Sequence, residues 1–474
     1  MRALTILTFP PLMAMSLLSP PQALAQTPAP APDQTPGPPP DQVAGQPPDA
    51  PGPETPEERS PGLPPHVEWT FHFNAGWGSF GFANSYFNNP KGAEPENLSD
   101  QWFEGFVKPS LSGTYKLASS SEFYGKVSVV GERTYGSAPE LYGPDVSSFS
   151  PDDAYVGWQS GNSVGSSENL IDVSAGRLPF QLGHGMLLYD GAAEGGSRGG
   201  YWTNARKAFA FGALGRVKPG PHKIELFYLD KDDLNENDTG TRLWGANYEL
   251  TGKQTTVGLT YMHFWAHQDV KPGRDGLDVF DVRADSAPIP DVPDLSFQFE
   301  YAAERNGDVL HSNAWNLLGA YEFSTLPWKP KLSYRYASFE GDKPNTTANE
   351  AFDPLLPGFS DWGSWWQGEI AGEYFLSNSN LLSHQFRAHV TPNDKIGGGL
   401  IFYDFRIDQP SSYGPTVTDD HAAFEGDLYV DWKATKNVIV SVVGAFADPG
   451  TAVQQLTGRT KVFTYGMLYV AYSY

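Results

Sequence analysis

Arginines and lysines that alternate with apolar side chains are the residues of this sequence best suited to chemistry. Eight such bases have apolar residues at the neighbouring sequence positions. In a strand, the basic and the apolar side chains would therefore lie on opposite faces. The eight are Lys108, Lys116, Lys126, Arg206, Arg216, Arg283, Arg335 and Arg387. A guanidinium on the polar face binds carboxylates in a bidentate manner, and a row of weak sites lets an anionic solute advance without being trapped.

Six acidic residues are predicted on the same face and favour a second interpretation. They are Glu104, Glu225, Glu300, Glu304, Asp427 and Asp431. Pairing across neighbouring strands would make each base part of a structural charge ladder, because a dense face of one sign is costly. The acids would also oppose passage of a polyanion, so a face of mixed charge suits a channel for small acids, sugars or aromatic compounds as well.

Two further patterns suggest chemistry but lack the required context. Gly195-Gly196-Ser197-Arg198-Gly199 matches the nucleophile elbow of hydrolases, yet no strand–turn–helix pattern surrounds it. The acidic run 230–238 carries oxygen ligands of the kind calcium prefers, without the glycine at the sixth position of an EF-hand loop. We therefore expect no catalytic residue, no cofactor and no enzyme activity. Binding of a surface calcium ion by 230–238 is left as an open alternative.

Composition excludes several classes of protein. The 474 residues contain no cysteine, so a disulfide scaffold and a cysteine-ligated metal site are impossible. Fifty-five acids against 32 bases give a net charge of −23, which argues against nucleic-acid binding. After the N-terminus there is no run of about 20 apolar residues of the kind that forms a membrane helix. A large β protein remains, either soluble or a transmembrane barrel.

The N-terminus resembles an export signal followed by a spacer. Residues 1–25 have a basic start, an apolar stretch and the small-residue pattern Ala23-Leu24-Ala25, and we interpret them as a signal peptide. Residues 26–66 are expected to form a disordered periplasmic linker, since 26–65 contain 15 prolines. The linker is a passive spacer or binds a periplasmic partner.

Residues 67–474 break into short alternating stretches separated by turn signals, such as 67–75, 295–301 and 424–432. Such alternation gives each strand one apolar and one polar face. In 424–432 the polar face is acidic and the apolar face ends in large aromatics, which favours an outer-membrane barrel with its polar side inward. The last strand alternates similarly and ends at Tyr474. A terminal aromatic of this kind is what the barrel-assembly machinery reads.

Loop lengths predict how many strands cross the membrane. Short turns are predicted near 118–121, 161–168, 218–221, 251–254, 286–293, 325–330, 392–395 and 434–437. Long or polar loops are predicted near 78–101, 136–151, 179–206, 230–240, 267–275, 305–312, 408–420 and 448–460. Alternation of turns and loops holds throughout if 365–376 is not a wall strand. We therefore predict 18 strands, with 340–380 as one extracellular loop packed on or into the barrel mouth.

Three segments resemble the alginate export family of outer-membrane barrels. They are 175–191, 201–209, and 334–342 with its continuation through 352–354 and 365–369. The resemblance covers roughly 67–474 and implies an 18-stranded monomeric barrel that passes an anionic polysaccharide through a pore lined by Arg and Lys. It supports an inward setting for Arg177 and implies roles for motif residues in the loops. These motif residues are Asp190, Arg198, Trp202, Trp365, Trp366 and Glu369.

These observations predict an all-β transmembrane barrel in the bacterial outer membrane, in contact with lipid and lipopolysaccharide. The expected function is passive diffusion or export of a hydrophilic, anionic solute such as an alginate-like polysaccharide. The alternative is a substrate-specific porin that imports small acids, sugars or aromatics, and a membrane-embedded hydrolase is the third possibility.

Overall fold

One closed antiparallel sheet of 18 strands forms the protein in the computed structural model. The structure describes residues 66–86, 99–117, 120–136, 138, 145–165, 168–192, 194–286, 292, 294–358 and 367–474. The expected signal peptide and nearly all of the expected linker, together with Trp365 and Trp366, lie outside this part of the chain. Each strand pairs with its neighbours in sequence, and the first strand also pairs with the last. The predicted barrel and its strand number are confirmed.

The strands run as follows. Their bounds are β1 His66–Ala83, β2 Asp100–Lys116, β3 Glu122–Gly136, β4 Val146–Gln159, β5 Ile171–Arg177, β6 Phe211–Val217, β7 His222–Asp230, β8 Arg242–Thr251, β9 Thr255–Trp265, β10 Asp278–Ser286, β11 Leu295–Asn306, β12 Leu310–Glu322, β13 Lys331–Phe339, β14 Leu381–Asn393, β15 Ile396–Ile407, β16 His421–Lys433, β17 Val438–Pro449 and β18 Phe463–Ser473. Two short helices, α1 (Gly195–Arg198) and α2 (Thr451–Thr457), lie between strands. Among the described residues, no helix is both long and apolar enough to cross a membrane.

The terminal strand β18 closes the barrel by pairing with β1 from Asn74–Ser473 to Ala83–Thr464, and Tyr474 extends this pairing by one residue. The backbone N–H of Tyr474 donates to the carbonyl oxygen of Phe73 (3.0 Å), and the N–H of Phe73 donates to the carbonyl oxygen of Tyr474 (2.9 Å). Closure leaves no free sheet edge in the wall, which is the requirement for a sheet placed in lipid.

Side chains alternate between an apolar outer face and a polar inner face. On β2, Val107 and Leu111 point outward and are 46% and 40% exposed, whereas Glu104 and Lys108 point inward and are buried. The same alternation on β16 exposes Leu428 and buries Asp427. An apolar exterior around a charged interior is the pattern of a barrel that faces lipid.

Short and long connections lie at opposite ends of the barrel, as predicted, although some boundaries differ. β1 continues to Ala83, so the first loop starts later than 78, and β4 already begins at Val146. The loop predicted at 305–312 shrinks to 307–309, because β11 and β12 form a tight hairpin in register from Asn306 to Leu310. Strand ends are hard to place from sequence when the alternation continues into polar residues.

Two long loops fold into the barrel. They are the β5–β6 loop (178–210) and the β13–β14 loop (340–380). Their apolar side chains are buried within the barrel; examples are Leu187, Trp202, Phe209, Phe352 and Ile370. The described part of 365–376 forms a π-helical turn, Gly368–Gly372, and no wall strand, which confirms the predicted loop assignment.

Candidate functional site

Glu104 of β2 binds the backbone of the β5–β6 loop. One carboxylate oxygen accepts hydrogen bonds from the N–H groups of Trp202 and Thr203 (both 2.9 Å) and from the Thr203 hydroxyl (3.2 Å). The other oxygen accepts from the Trp102 indole (3.1 Å). Glu104 is only 1% exposed. Charged acceptors form the stronger class of hydrogen bond, so one buried side chain holds the loop at two consecutive residues.

Acids of the next two strands continue this attachment. Glu132 of β3 accepts from the N–H of Ala205 (2.6 Å), and Asp152 of β4 accepts from the N–H groups of Lys207 and Ala208 (3.1 and 3.0 Å). Asp152 also forms an ion pair with Lys108 (2.6 Å). The β5–β6 loop is therefore bound along 202–208 by three adjacent strands.

The β13–β14 loop is attached in the same manner from other strands. Glu425 of β16 accepts from the N–H groups of Ile370 and Ala371 (2.8 and 2.7 Å). Gly368 has φ +94°, and a Cβ there would lie 2.3 Å from the Glu425 carboxylate, so this approach needs glycine. Glu304 of β11 accepts from the N–H of Asp353 (2.8 Å).

The two loops also bind each other, so that they form one unit within the lumen. Leu188 and Leu356 form a parallel bridge. The N–H of Tyr189 donates to the Leu356 carbonyl (2.8 Å), and the N–H of Gly358 donates to that of Gly185 (3.0 Å). We call residues 182–188 with 353–358 the loop junction. It narrows the lumen from within.

The tip of the β5–β6 loop reaches towards the short-turn end of the wall. His184 lies 2.7 Å from Asp285, which is the second-last residue of β10. The Met186 sulfur accepts from the Asn316 amide (3.1 Å). The loop therefore extends across much of the height of the barrel.

A bidentate ion pair fixes the β13–β14 loop to the β9–β10 loop. The guanidinium of Arg274 donates to both carboxylate oxygens of Asp353, with 2.8 Å from Nε to Oδ2. Burial alone would raise the pKa of Asp353, but the Arg274 guanidinium holds this pKa at about 2. Burial opposes the charge of Arg274 too, yet Asp353 keeps the pKa of Arg274 above its usual value.

The motif residues of the loops are structural partners within this unit. Asp190 forms an ion pair with Lys207 (2.9 Å) and accepts from the N–H of Ala192 (2.9 Å). Burial raises the pKa of Asp190, and Lys207 opposes that shift. Arg198 donates to the carbonyl of Asp232 (2.8 Å).

Trp202 is fully buried between Phe80 and Tyr469, at 5.2 and 5.0 Å between ring centroids. Glu369 is fully buried in the π-helical turn. These two motif residues belong to the packed contact between loops and wall.

Several of the basic residues considered for the lumen are buried. Arg283 is 6% exposed and donates to Asn247 (2.7 Å) and Thr260 (2.9 Å), besides its ion pair with Asp281. Arg335 points inward on β13 and is 1% exposed. Arg177, by contrast, is only partly buried: it ends β5, keeps 22% of its side chain exposed and binds Asp232 (2.7 Å).

Arg206 is not on a wall strand: it lies at the end of the loop predicted near 179–206, although its alternation with Phe209 and Phe211 suggested the inner face of a strand. β6 begins at Phe211, and Arg206 lies in the β5–β6 loop, fully buried beside Glu132 (3.3 Å) and Ser150 (3.0 Å). The alternation around Phe209 and Phe211 is that of a folded loop entering a strand, which sequence periodicity does not distinguish from a strand.

Three other predicted bases lie near the short-turn end and remain partly exposed. Lys126 pairs with Asp153 (3.0 Å) and keeps 30% of its side chain exposed. Arg216 pairs with Glu225 (2.8 Å) and keeps 24% exposed. Lys116 pairs with Glu68 (3.1 Å) near the barrel rim and is 46% exposed. Together they form a mixed-charge wall.

A second group of bases lies on the opposite wall. Arg387 of β14 donates to the Tyr429 hydroxyl oxygen (2.6 Å), with its guanidinium carbon 5.4 Å from the Tyr429 ring centroid. Lys331 of β13 lies in register with His389, which faces the same Tyr429 hydroxyl at 2.8 Å. We call Lys331, Arg387, His389 and Tyr429 the basic patch. β14 lies nine strands from β5 around the ring, so the patch faces the mixed-charge wall across the lumen.

Sequence reasoning missed the attachment role of the acids and the basic patch. Alternation placed Glu104, Glu304 and Asp427 inward, but the backbone that Glu104 binds lies about a hundred residues away. Lys331 and His389 have the same inward parity as Arg387. Tyr334 and Phe386, on the same two strands, have the opposite parity and point outward. The alternation of these strands therefore already indicated the patch.

The patterns that suggested catalysis or calcium have other structural settings. Ser197 is exposed on the four-residue α1, which follows loop residues and no strand. In 230–238, Asp232 binds Arg177, and Asp233 binds Lys231 and accepts from the Thr239 N–H (2.9 Å). Within the described chain, no group of three or more His, Asp or Glu is arranged to hold a metal ion.

A closed 18-stranded barrel with an apolar exterior, a charged interior and two infolded loops defines an outer-membrane channel. Residues 143–466 match the alginate export family, and the chain belongs to that family. No curated protein matches the sequence. This membership confirms the resemblance and the expected location in the bacterial outer membrane.

Solved outer-membrane porins share the fold at low sequence identity. Pseudomonas aeruginosa OccK7 (OpdD) has a TM-score of 0.52 and 12% identity, covering 86% of this chain and 98% of its own. P. aeruginosa OccK5 (OpdH) has a TM-score of 0.53 and 13% identity, and the match covers 85% of this chain and 97% of that porin. Acinetobacter baumannii OccAB2 has a TM-score of 0.52 and 13% identity, and the match covers 85% of this chain and 98% of that porin.

Proposed function

We propose that this channel passes a hydrophilic anionic solute of the alginate kind, a uronate polymer or its short oligomers. The observation that carries the proposal is the basic patch. Arg387 and His389 remain partly exposed on the inner wall and share the hydroxyl of Tyr429. A guanidinium there keeps its charge at any relevant pH and binds carboxylates in a bidentate manner, and the buried Tyr429 holds it in place through its hydroxyl.

The mixed-charge wall suits transit better than tight binding. Arg216 and Lys223 both contact Glu225 (2.8 Å each), so an entering carboxylate competes with an existing partner. Competition weakens each site, and weak sites in series allow a polyanion to move on. We propose the same role for Lys126 with Asp153. Buried Lys108, Arg206, Arg283 and Arg335 instead stabilise the wall and loops in this proposal.

Import of small acids or sugars is the second candidate, favoured by the loop junction. Two loops that bind each other inside the lumen leave less room than an open barrel offers. A short oligomer or monosaccharide acid passes such a constriction more readily than a hydrated polymer. In both cases we propose a monomeric, passive channel without enzymatic activity, assembled through its Tyr474 strand. Its residues 26–66 serve as a periplasmic spacer or bind a partner there.

Block of ion current by oligouronates tests the proposal. Purified protein in planar bilayers is titrated with mannuronate oligomers, and neutral maltooligosaccharides of equal length serve as the matched probe. We expect block by the uronates alone. In the Arg387→Gln variant the concentration for half block should rise roughly tenfold, as expected for loss of one charge-assisted contact.

Lys343→Gln is the control variant, because Lys343 lies in the outer part of the β13–β14 loop with 47% of its side chain exposed. It should leave the block unchanged. Equal block by neutral and acidic sugars would remove the basis for anion preference. Block by monomeric uronate as effective as by the longer oligomers would favour the small-solute candidate.

A further inference from the structure

An open groove of about 410 Å³ crosses strands β1 to β4 near the long-loop end of the wall. Its inner lining, including Phe106 and Glu132, is buried against the infolded loop, whereas Val107, Arg133 and Ser147 are exposed. The groove therefore opens outward, on the face that contacts lipid.

Two glycines form the floor of the groove. Gly105 lies between Trp77 and Arg133 in register, and Gly131 lies between Val107 and Phe149. A Cβ on Gly131 would stand 3.4 Å from the Phe149 ring and 3.5 Å from Val107. Phe149 is 75% exposed and Trp77 46% exposed, so large apolar side chains project around a floor without side chains. The result is a concave apolar strip.

Arg133 stands at the outer end of this strip with donors available to an anion. Half of its side chain is exposed, and its Nη2 lies 4.0 Å from Asp145, which is also half exposed. An exposed pair at that distance contributes little. Tyr135 supports the guanidinium from one side, at 4.3 Å from the ring centroid. By contrast, the outward Arg406 lies 3.1 Å from each of two acids, Asp404 and Asp420.

We propose that this groove binds one molecule of lipid A, with an acyl chain along the glycine floor and a phosphate at Arg133. The long-loop end of an outer-membrane barrel faces outward, so Arg133 lies at the height of the outer-leaflet headgroups. Arginine binds phosphate through two parallel N–H donors. The chain packs against Trp77, Val107 and Phe149, where close packing supplies the attraction that the hydrophobic effect cannot provide in lipid.

Native mass spectrometry of the full-length protein, released from detergent micelles, tests this site. The protein is incubated with bisphosphorylated lipid A, with the same lipid after phosphate removal, or with phosphatidylethanolamine. We expect one retained bisphosphorylated lipid A. Retention should fall roughly tenfold in Arg133→Gln, as expected for the loss of a charge-assisted contact, and likewise in Gly131→Leu, which fills the groove.

Arg406→Gln is the control, since this arginine lies on the same face and end and is already neutralised; its retention should match the wild type. Heat-modifiable mobility in gels identifies variants that fold. If Gly131→Leu does not fold, Arg133→Gln decides alone. Undiminished retention in folded Arg133→Gln, equal retention of the dephosphorylated lipid, or stronger retention of phosphatidylethanolamine would each overturn the assignment. The outcome is independent of which solute the channel passes.

Discussion

At the scale of single residues, several inward acids bind the backbone of the infolded loops. Glu104 and Glu425 each accept from two consecutive loop N–H groups, and Asp152 does so while paired with Lys108. A loop folded into a barrel loses water from its backbone donors, and an unsatisfied buried donor is costly. Carboxylates on the wall satisfy these donors without needing a strand partner.

Replacing Glu104 by Gln should release the β5–β6 loop. The amide can satisfy some of these donors, but its NH₂ group would face one of them, and we expect a loss of about 1–3 kcal/mol in local stability. Hydrogen exchange read at Trp202 and Thr203 should show faster exchange. Glu68→Gln is the control, because Glu68 is an exposed acid at the other end of the barrel. Unchanged protection in Glu104→Gln would show that other contacts hold the loop.

The Arg274–Asp353 pair predicts acid sensitivity in a defined window. Because the pKa of Asp353 is lowered to about 2, its stabilising effect is complete well above its ordinary value near 3.8 and is lost as pH falls towards 2. At neutral pH this lowered pKa contributes about 2 kcal/mol to the free energy of unfolding. The wild type should unfold at a higher temperature than Asp353→Asn. This difference in Tm should stay constant from pH 7 to 5 and shrink below pH 4. A difference that stays constant to pH 2 would contradict this role.

At the scale of elements, the loop junction occupies part of the lumen. The β5–β6 loop turns back on itself, since the N–H of Leu182 donates to the carbonyl of Leu188 (3.0 Å). Between these two residues lie His184 and Met186, which contact the far wall. The tip is thus a compact segment that can be removed without separating its flanks.

Excising residues 183–187 and joining the flanks with two glycines should raise single-channel conductance by about twofold, because the tip obstructs the ion path. The measurement is made in planar bilayers on protein that keeps its heat-modifiable mobility. Removal of 235–237, an exposed turn of the β7–β8 loop, is the matched control and should not change conductance. If the two excisions have equal effects, the tip does not obstruct the path.

The wall was largely predictable from sequence, whereas the interior was not. Alternation and loop length fix strand number and the orientation of Lys108, Arg335 and Arg387, because both are local properties. Which backbone group meets Glu104 or Glu425 depends on how loops of more than 30 residues fold back. Arg206 illustrates the limit, since local alternation continued into a loop and suggested a wall position that it does not have.

At the scale of the whole molecule, the net charge of −23 does not describe the passage. Buried acids such as Glu104 and Asp152 are engaged by backbone N–H groups, and Lys126 and Arg216 each keep an acidic partner. Arg387 donates to a neutral hydroxyl, that of Tyr429, and Lys331 lies on the neighbouring strand. The partly exposed lumen surface therefore presents a basic patch opposite a mixed-charge wall. We expect anion preference from an acidic protein.

The reversal potential across a KCl gradient in planar bilayers tests the central claim most directly, because it reports the sign of the ions that the passage favours. The account predicts anion preference in the wild type, reduced in a Lys331→Gln and Arg387→Gln double variant. It also predicts block by oligouronates. A cation-selective channel that oligouronates do not block would contradict it.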